Sequence, residues 1–392
     1  MKVVVISSTF PPFRSPESAH TLFLCQRLAE AGLDIHLITS SGSTGVASLP
    51  FSVHPIMRDW RWPRLPTLLW QVRRLNPDAI LLIHLGWIYN FHPMVAFLPT
   101  FCRVVVPRAR FVTQFENIQT HDDAWFKLLT KLLRWLPPFA RFDARLGTLL
   151  SQSDRIILLA ESHLDIVAGL CAGVAERSVV IPAPPIMKVL DDPDGSVRAG
   201  GRDRLGVANH EMLLAFFGFI YPSKGIETLL RAMHRVPNHV RLKLVLIGQI
   251  ADQGYGRMLK ELERDLALSD RVIWAGHCDP EADEASGFLR AADIGVFPFD
   301  AGVRLNNSSI AVAAAHGLPL LTTAGADLES QFRHGVNVWL CPPQQPEILA
   351  ETIEQVATDA GLRQRLGEGA LRLVEDCFSW QRIIGATVDT LR

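Results

Sequence analysis

One lysine stands where a phosphate-binding group is expected, between a buried strand and a helix. Met212 to Phe217 is an unbroken apolar run, typical of a parallel strand covered on both faces, and Gly218 ends it. Lys224 and Gly225 follow, and then an amphipathic pattern begins. Free amides at a helix N-terminus attract anions, and an ammonium adds a full positive charge. The segment predicts a phosphate site, and the alternative is an ordinary strand–loop–helix with a solvated lysine.

A second polar segment, Asn306-Asn307-Ser308-Ser309, opens another expected helix, from Ser308 to Gly317. Ser308 or Ser309 can cap that helix, which leaves backbone amides for an anion. A plain N-cap is the alternative. We favour ligand binding, because this loop belongs to the same strand-end face as Lys224.

The elements around these loops alternate between strands and helices in two successive halves. In the first half strands are expected at 2–7, 35–39, 51–57, 79–85, 111–114, 155–159 and 178–181, and in the second at 212–217, 242–247, 272–274, 294–297 and 319–322. Pro182 to Pro185 is interpreted as a linker, and the polar segment 187–211 is expected to be exposed. The pattern predicts an α/β protein with two Rossmann-like doubly wound domains that face each other across a cleft. No Gly-x-Gly-x-x-Gly follows the first strand, so the usual dinucleotide fingerprint is absent.

Composition narrows the class of protein. The 392 residues carry a net charge of −1, which argues against a nucleic-acid binder. Residues 1–175 hold 17 Lys and Arg against 12 Asp and Glu, and the remainder holds 22 against 28, so the first half is expected to meet something anionic, unless the excess is chance. Six scattered cysteines favour reduced thiols in the cytoplasm. We expect neither a signal peptide nor a membrane span, since His84, His92, Pro93, Pro99 and Arg103 interrupt the most apolar region, 79–106.

Segments 218–225 and 297–322 together resemble the retaining, sugar-nucleotide-dependent glycosyltransferases of family 4 (glycosyl transferases group 1), which have the GT-B fold. The resemblance covers nearly the whole chain and is specific through the order and spacing of its parts. Further matching segments are the Phe10–Pro12 loop, the helix with His20, Ser153 to Ile157, Val180 to Pro182, Leu246 to Gly248, Arg271 to Gly276, Ala291 to Pro298 and Ala315 to Pro319.

The resemblance implies an acceptor-side domain over residues 1–185 and a domain for the nucleotide sugar over 186–377, with the last helix, 378–392, packed back on the first. It implies no cofactor besides the nucleoside diphosphate sugar, and no metal, because a lysine and helix amides can neutralise the diphosphate. The implied donor-binding residues are Gly218, Phe219, Lys224, Gly225, Gly248, Asp300, Asn306, Asn307, Ser308 and Ser309. The residues expected to act in catalysis are Lys224, Arg304 and Glu116, and those on the acceptor side are His20, Glu116 and His121.

Several positions depart from the family pattern. Phe219 stands where the family commonly has an arginine that binds the diphosphate, and Arg304 and Val312 replace a pair of glutamates. Arg304 could supply the missing cation, and Asp300 could bind the sugar hydroxyls. Phe115 stands where many relatives have a histidine, so Glu116 or His121 is expected to take that role.

Aromatic and cationic residues alternate at two places in the first half. Trp60 to Arg64 and Arg73-Arg74 form one set. Trp125, Lys127, Lys131, Arg134, Trp135, Arg141 and Arg145 form another, within 125–146. This composition suits a helix in a membrane interface, and the alternative is a pair of surface helices with solvated cations.

The sequence therefore predicts a cytoplasmic enzyme, at the cytosolic face of an anionic membrane, that makes a polysaccharide or glycoconjugate. It would move a sugar from a nucleoside diphosphate sugar to a glycan or lipid-linked acceptor with retention of configuration. The alternative is a catalytically impaired GT-B protein that binds a glycan or a partner enzyme. A sugar-nucleotide 2-epimerase is a third reading, ranked last because the acidic and histidine groups that it needs cannot be placed.

Overall fold

The chain divides into two compact units. The computed structural model describes residues 1–43, 48–118 and 146–392. The first unit contains Met1–Pro182 and Trp380–Arg392, and the second contains Ala183–Ser379.

The first unit is built on a seven-stranded parallel sheet with the order β3-β2-β1-β4-β5-β6-β7. Its strands are β1 (Lys2–Ile6), β2 (Asp34–Ser40), β3 (Ser52–Met57), β4 (Ala79–His84), β5 (Arg110–Phe115), β6 (Arg155–Leu158) and β7 (Ser178–Val180). Every residue of β4 is buried, because helices cover both faces of the sheet.

The helices of the first unit connect successive strands. They are α1 (Pro16–Glu30), α2 (Leu65–Leu75), α3 (Leu98–Val105), α4 (Leu149–Gln152) and α5 (Ser162–Leu170). The sequence analysis did not predict α3, whose first turn contains Pro99, at a position where proline is tolerated.

The second unit is built on a six-stranded parallel sheet with the order β10-β9-β8-β11-β12-β13. Its strands are β8 (Met212–Phe217), β9 (Leu242–Ile247), β10 (Val272–Gly276), β11 (Ile294–Phe297), β12 (Leu320–Thr323) and β13 (Trp339–Cys341). Its helices are α6 (Ser196–Leu205), α7 (Ile226–Arg235), α8 (Gln253–Asp265), α9 (Asp283–Ala291), α10 (Ser308–Ala315), α11 (Pro346–Thr358) and α12 (Ala360–Leu373). The predicted α/β class with two Rossmann-like domains is confirmed.

The last helix, α13 (Trp380–Leu391), belongs to the first unit. The Trp380 ring stacks on Phe23 of α1 with ring centroids 6.2 Å apart, and the Arg27 guanidinium lies 6.0 Å from the Trp380 ring centroid. Aromatic packing with a cation on the ring face thus fixes the C-terminal helix to the first one.

The expectation that 187–211 is exposed was wrong for Gly201 and Arg202, which are buried, whereas other residues of α6, such as Ser196 and Arg204, are exposed. Gly201 lies against α9, since a Cβ added there would be 2.4 Å from the Gly287 carbonyl oxygen. Arg202 is buried and donates to Asp293 Oδ2 at 3.2 Å and to backbone carbonyls of Ala208 and Glu211. The sequence gives no sign of this burial, because the counter-ion of Arg202 is Asp293, which lies far away in the sequence.

Each sheet reverses its strand order beside its first strand, between β1 and β4 and between β8 and β11. Ligands of open parallel sheets bind outside the carboxyl ends of the strands at such switch points. The loops after β1, β4, β8 and β11 are therefore where a site is expected.

Candidate functional site

Close backbone contacts explain two of the glycines predicted to bind the donor. Gly218 follows β8 with φ +131°, and Gly248 follows β9 with φ +155°. A Cβ on Gly248 would lie 1.9 Å from the Gly218 carbonyl oxygen, so the two strand ends approach too closely for any other residue. These glycines therefore allow β8 and β9 to end side by side at the switch point.

Lys224 lies in the loop after β8 with its ammonium held over two rings. Its Nζ is 5.0 Å from the Tyr221 ring centroid and 4.7 Å from that of Phe299. Burial lowers the pKa of Lys224 to about 8. In the part of the chain that the structure describes, no carboxylate lies within ion-pair distance of Nζ. The site thus holds a cation with aromatic neighbours and no counter-ion, ready for an anionic ligand.

The loops after β8 and β11 are fastened to each other. Gly225 has φ +71°, and a Cβ there would lie 1.8 Å from the Pro298 carbonyl oxygen. The Asp300 amide donates to the Ser223 carbonyl at 3.1 Å. Both loops therefore meet at the switch point of the second sheet, next to the N-terminus of α7.

The predicted 306–309 loop reaches the same place, but the expected serine cap is wrong. The helix α10 begins at Ser308, Asn307 occupies the N-cap position, and no side chain caps the first turn. The Asn307 amide oxygen instead accepts from the Arg304 backbone N–H at 2.8 Å. A Cβ built on Gly218 would lie 3.5 Å from Ser309 Cβ, so the uncapped N-terminus of α10 lies against the end of β8.

Arg304 is engaged by a carboxylate. Its guanidinium donates to Asp327 Oδ2 at 2.6 Å, and neither side chain is fully buried. A role as the second cation therefore requires Arg304 to exchange Asp327 for the ligand. Two other residues also depart from the family pattern. Phe219 is half-buried in the loop after β8, and Val312 lies in the core inside α10.

An acidic group beside Lys224 was missed by the sequence analysis. Glu227, in the first turn of α7, accepts from the Tyr255 hydroxyl at 2.5 Å. Burial, together with the like charge of Glu227, raises the pKa of Asp300, although a hydrogen bond with Gln344 opposes this. Burial and Glu227 also raise the pKa of Tyr255. The spacing of Glu227 three residues after Lys224 was the available signal, but the partner Tyr255 comes from another helix.

The first unit joins two predicted acceptor-side residues. His20 of α1 is buried, and its Nδ1 lies 2.9 Å and 3.0 Å from the two carboxylate oxygens of Glu116, which follows β5. Gln114 Nε2 donates to Glu116 Oε1 at 2.8 Å. Burial disfavours the imidazolium, but Glu116, with help from Glu17, outweighs burial and raises the pKa of His20. The His20 imidazole and the Glu116 carboxylate thus form a hydrogen-bonded pair in which each side chain fixes the orientation of the other.

Unpartnered polar atoms surround this pair. Among the described residues, Thr9 Oγ1, Glu17 Oε2 and Ser18 Oγ are buried without a hydrogen-bond partner, as is His84 Nδ1 at the end of β4. Burial raises the pKa of Glu17, with the charge of Glu116 adding to it, and burial lowers the pKa of His84 to about 4. Buried orphan groups of this kind are costly unless a ligand or water satisfies them. Sequence reasoning missed Thr9, Glu17 and His84, since polar residues after strands carry no mark of their missing partner.

Some predicted residues cannot be placed. His121 and the stretch from Trp125 to Arg145 lie outside the described residues. Within 1–43, 48–118 and 146–392, no three His, Cys, Asp or Glu side chains are grouped to hold a metal ion. Over the same ranges, no helix is both long enough and apolar enough to cross a membrane.

Comparison with known proteins bears on the second unit most directly. Residues 211–359 match the family described as "Glycosyl transferases group 1". An uncharacterized glycosyltransferase of Methanocaldococcus jannaschii is 28% identical over 193 residues, 49% of this chain and 47% of the relative. A D-inositol 3-phosphate glycosyltransferase of Xylanimonas cellulosilytica is 27% identical over 254 residues, 64% of this chain and 57% of the relative. The chain thus spans about half the length of these curated relatives.

Structural similarity to known proteins covers both units. A crystal structure of Anabaena HepE in complex with UDP-glucose superposes with a TM-score of 0.73 at 18% identity, over 100% of this chain and 99% of that one. The chain therefore has the GT-B fold of glycosyltransferase structures. The segment that matches the glycosyl transferases of group 1, residues 211–359, contains the Lys224 loop and α10.

Proposed function

We propose that this protein is a glycosyltransferase that moves a sugar from a nucleoside diphosphate sugar to a glycan or lipid-linked acceptor with retention of configuration. The observation that carries the proposal is Lys224, whose ammonium lies at the switch point of the second sheet and has no counter-ion in the described part of the chain. The family of residues 211–359 and the UDP-glucose bound to the HepE structure support a sugar nucleotide as its ligand.

Breaking the bond between the sugar and the diphosphate leaves negative charge on the departing oxygens. Lys224 and the positive end of the α10 helix dipole would stabilise that charge, which is the largest task in such a transfer. Asp300, raised in pKa by burial, can bind sugar hydroxyls. Gly225 and Gly248 let the loops after β8, β9 and β11 pack closely enough to form this site.

The acceptor belongs to the first unit in this proposal. In the described ranges Thr9 Oγ1, Glu17 Oε2 and Ser18 Oγ have no hydrogen-bond partner, which suits a hydroxyl-bearing acceptor. Glu116 with His20 would position the attacking hydroxyl, and the proton of that hydroxyl would pass to the leaving diphosphate as the bond between sugar and diphosphate breaks. A place in polysaccharide or glycoconjugate synthesis, in the cytoplasm, follows from such substrates.

The test offers the purified protein a panel of nucleoside diphosphate sugars, with release and transfer of the sugar followed by mass spectrometry. We expect turnover of one donor class, with UDP sugars first, and nuclear magnetic resonance of the product should show the anomeric configuration of the donor. A product with the opposite anomeric configuration would refute retention but not the transfer of the sugar. No turnover of any donor, combined with unchanged nucleotide binding in Lys224→Ala, would refute the proposal.

A second candidate is a non-catalytic GT-B protein that binds a glycan or a partner enzyme. Phe219 removes one cation, Val312 is buried, and Arg304 is engaged by Asp327. Calorimetry separates the two candidates, because the non-catalytic protein should show no affinity for any nucleoside diphosphate.

A further inference from the structure

A stripe of aromatic and cationic side chains follows the outer side of α2. Trp62 precedes the helix, Trp70 is 60% exposed one turn after Pro66, and Arg73 and Arg74 complete the stripe. The Arg74 guanidinium lies 5.3 Å from the Trp70 ring centroid. Their spacing of three or four residues places them on one face of the helix, opposite the buried Leu65, Leu68 and Val72.

The neighbouring chain segment continues this surface. The Trp62 ring centroid lies 5.9 Å from that of Phe97 and 6.1 Å from that of Phe101 of α3, and 6.2 Å from His92. Phe91, next to His92, is 71% exposed with φ +53°. A bulky residue rarely adopts this left-handed conformation, and here it leaves the aromatic ring facing solvent. We call the surface formed by these side chains the Trp–Arg face. It consists of Arg61, Trp62, Trp70, Arg73, Arg74 and Phe91.

The charge of this face is not compensated. Arg61, Arg73 and Arg74 are exposed, and none has a carboxylate within ion-pair distance in the described ranges. The nearby carboxylates are already paired, Asp59 with Arg64 at 3.5 Å and Asp154 with Arg103 at 2.9 Å. The face therefore combines free cations with large exposed aromatic rings.

We propose that the Trp–Arg face docks this protein onto the surface of an anionic lipid bilayer. Tryptophan favours the zone between headgroups and acyl chains, where its ring is buried and its N–H stays wet. Arginines beside the tryptophans can bind lipid phosphates. Single aromatic rings separated by cations are typical of a surface that lies in the membrane interface, and not of a segment that crosses the bilayer. The proposal does not depend on the transfer reaction, although docking would bring a lipid-linked acceptor to the first unit.

The test is co-sedimentation of the full chain with vesicles of phosphatidylcholine, with and without phosphatidylglycerol. Two variants probe the face: Arg73→Glu with Arg74→Glu reverses its charge, and Trp70→Ser with Phe91→Ser removes its rings. All these side chains are exposed, so both variants should fold. A matched control in the second unit, Leu371→Ser with Arg372→Glu, changes an exposed apolar residue and its neighbouring arginine on α12.

The wild type and the control should bind only the anionic vesicles, and binding should weaken as salt rises. Each variant should need at least about tenfold more lipid for half-binding, since each loses either two basic contacts or two interfacial rings. Hydrolysis of the sugar donor in solution without vesicles should stay unchanged in both variants, which separates this proposal from the proposed function.

Equal binding of wild type and both variants would overturn the proposal, as would absence of binding to anionic vesicles. A wild type that forms dimers in solution, with both variants monomeric and no vesicle binding, would assign the face to self-association and overturn it as well.

Discussion

Two sheets with one strand order carry different chemistry at their switch points. In the second unit the loops after β8 and β11 present Lys224 and the uncapped N-terminus of α10. In the first unit the corresponding loops lie near His20, Glu116 and Glu17, with hydroxyls that lack partners. At the first of these switch points Lys224 has no carboxylate within ion-pair distance in the described ranges, although Asp300 lies in the loop after β11 and Glu227 in the first turn of α7. At the other, the carboxylates of Glu116 and Glu17 act on the single imidazole of His20.

The charged groups at the two switch points indicate which kind of ligand each unit can bind. An anion gains from Lys224 and from helix amides, whereas two carboxylates would repel it in the first unit. A neutral polyhydroxyl ligand can satisfy the orphaned Thr9 and Ser18 oxygens and donate to the glutamates. The topology decides where ligands bind, and a few side chains decide the sign of the charge that is accepted.

Removal of the Lys224 cation should have the largest effect on this contrast. Lys224→Ala should lower the rate of sugar release by about 100-fold or more, as expected for the loss of a group that stabilises developing charge. The matched control is Lys260→Ala, because Lys260 also lies over a ring, 4.4 Å from the Trp274 centroid, but on the exposed side of α8. Steady-state kinetics measures both variants, and equal losses in the two would refute the special role of Lys224.

The substitution Glu116→Gln tests the switch point of the first sheet, where we expect a smaller loss of turnover than for Lys224→Ala. The amide keeps the shape but removes the charge that faces His20, so turnover should fall about 10- to 100-fold while nucleoside diphosphate affinity stays unchanged. Glu30→Gln, at the exposed end of α1 beside Arg27, is the control. A parallel loss of nucleotide affinity in Glu116→Gln, measured by calorimetry, would contradict the division of roles between the units.

The pH dependence of donor binding should report the lowered pKa of Lys224. The ammonium binds the diphosphate, and it is the main form below the pKa of about 8. Above that pH a proton must be taken up on binding, so affinity should fall by up to about tenfold per pH unit. Calorimetry between neutral and alkaline pH measures this. Lys224→Arg should flatten the profile because arginine stays charged, and a wild-type affinity that is constant through this range would exclude Lys224 from diphosphate binding.

Phe219→Arg should have the smallest effect. A cation at the position that the family commonly fills should tighten nucleoside diphosphate binding a few-fold, about 1 kcal/mol or less at an exposed loop. Pro222→Arg adds the same charge at an exposed position of the same loop and serves as the control. An equal gain in both variants, in the same calorimetric titration, would show general attraction rather than a missing contact.

The elements that carry the site were largely predictable. Unbroken apolar runs predicted β8, β9 and β11 at Met212–Phe217, Leu242–Ile247 and Ile294–Phe297, and these bounds agree with the structure. By contrast, α3 and β13 were missed. In the helix over Ser196–Leu205, Arg202 was wrongly expected to be exposed, since its counter-ion Asp293 lies far away in the sequence.

The sequence by itself determined the two-part α/β architecture and the position of Lys224 between a strand and a helix, because both follow from local apolar periodicity and from glycine placement. Only the tertiary structure decided the partners of the polar side chains. It brings His20 to Glu116, 96 residues away, and Arg304 to Asp327, and it leaves Lys224 over Phe299 without a counter-ion in the described chain. Local patterns encode which residues are buried, whereas the partner of a charge depends on loops that meet only after the sheets have formed.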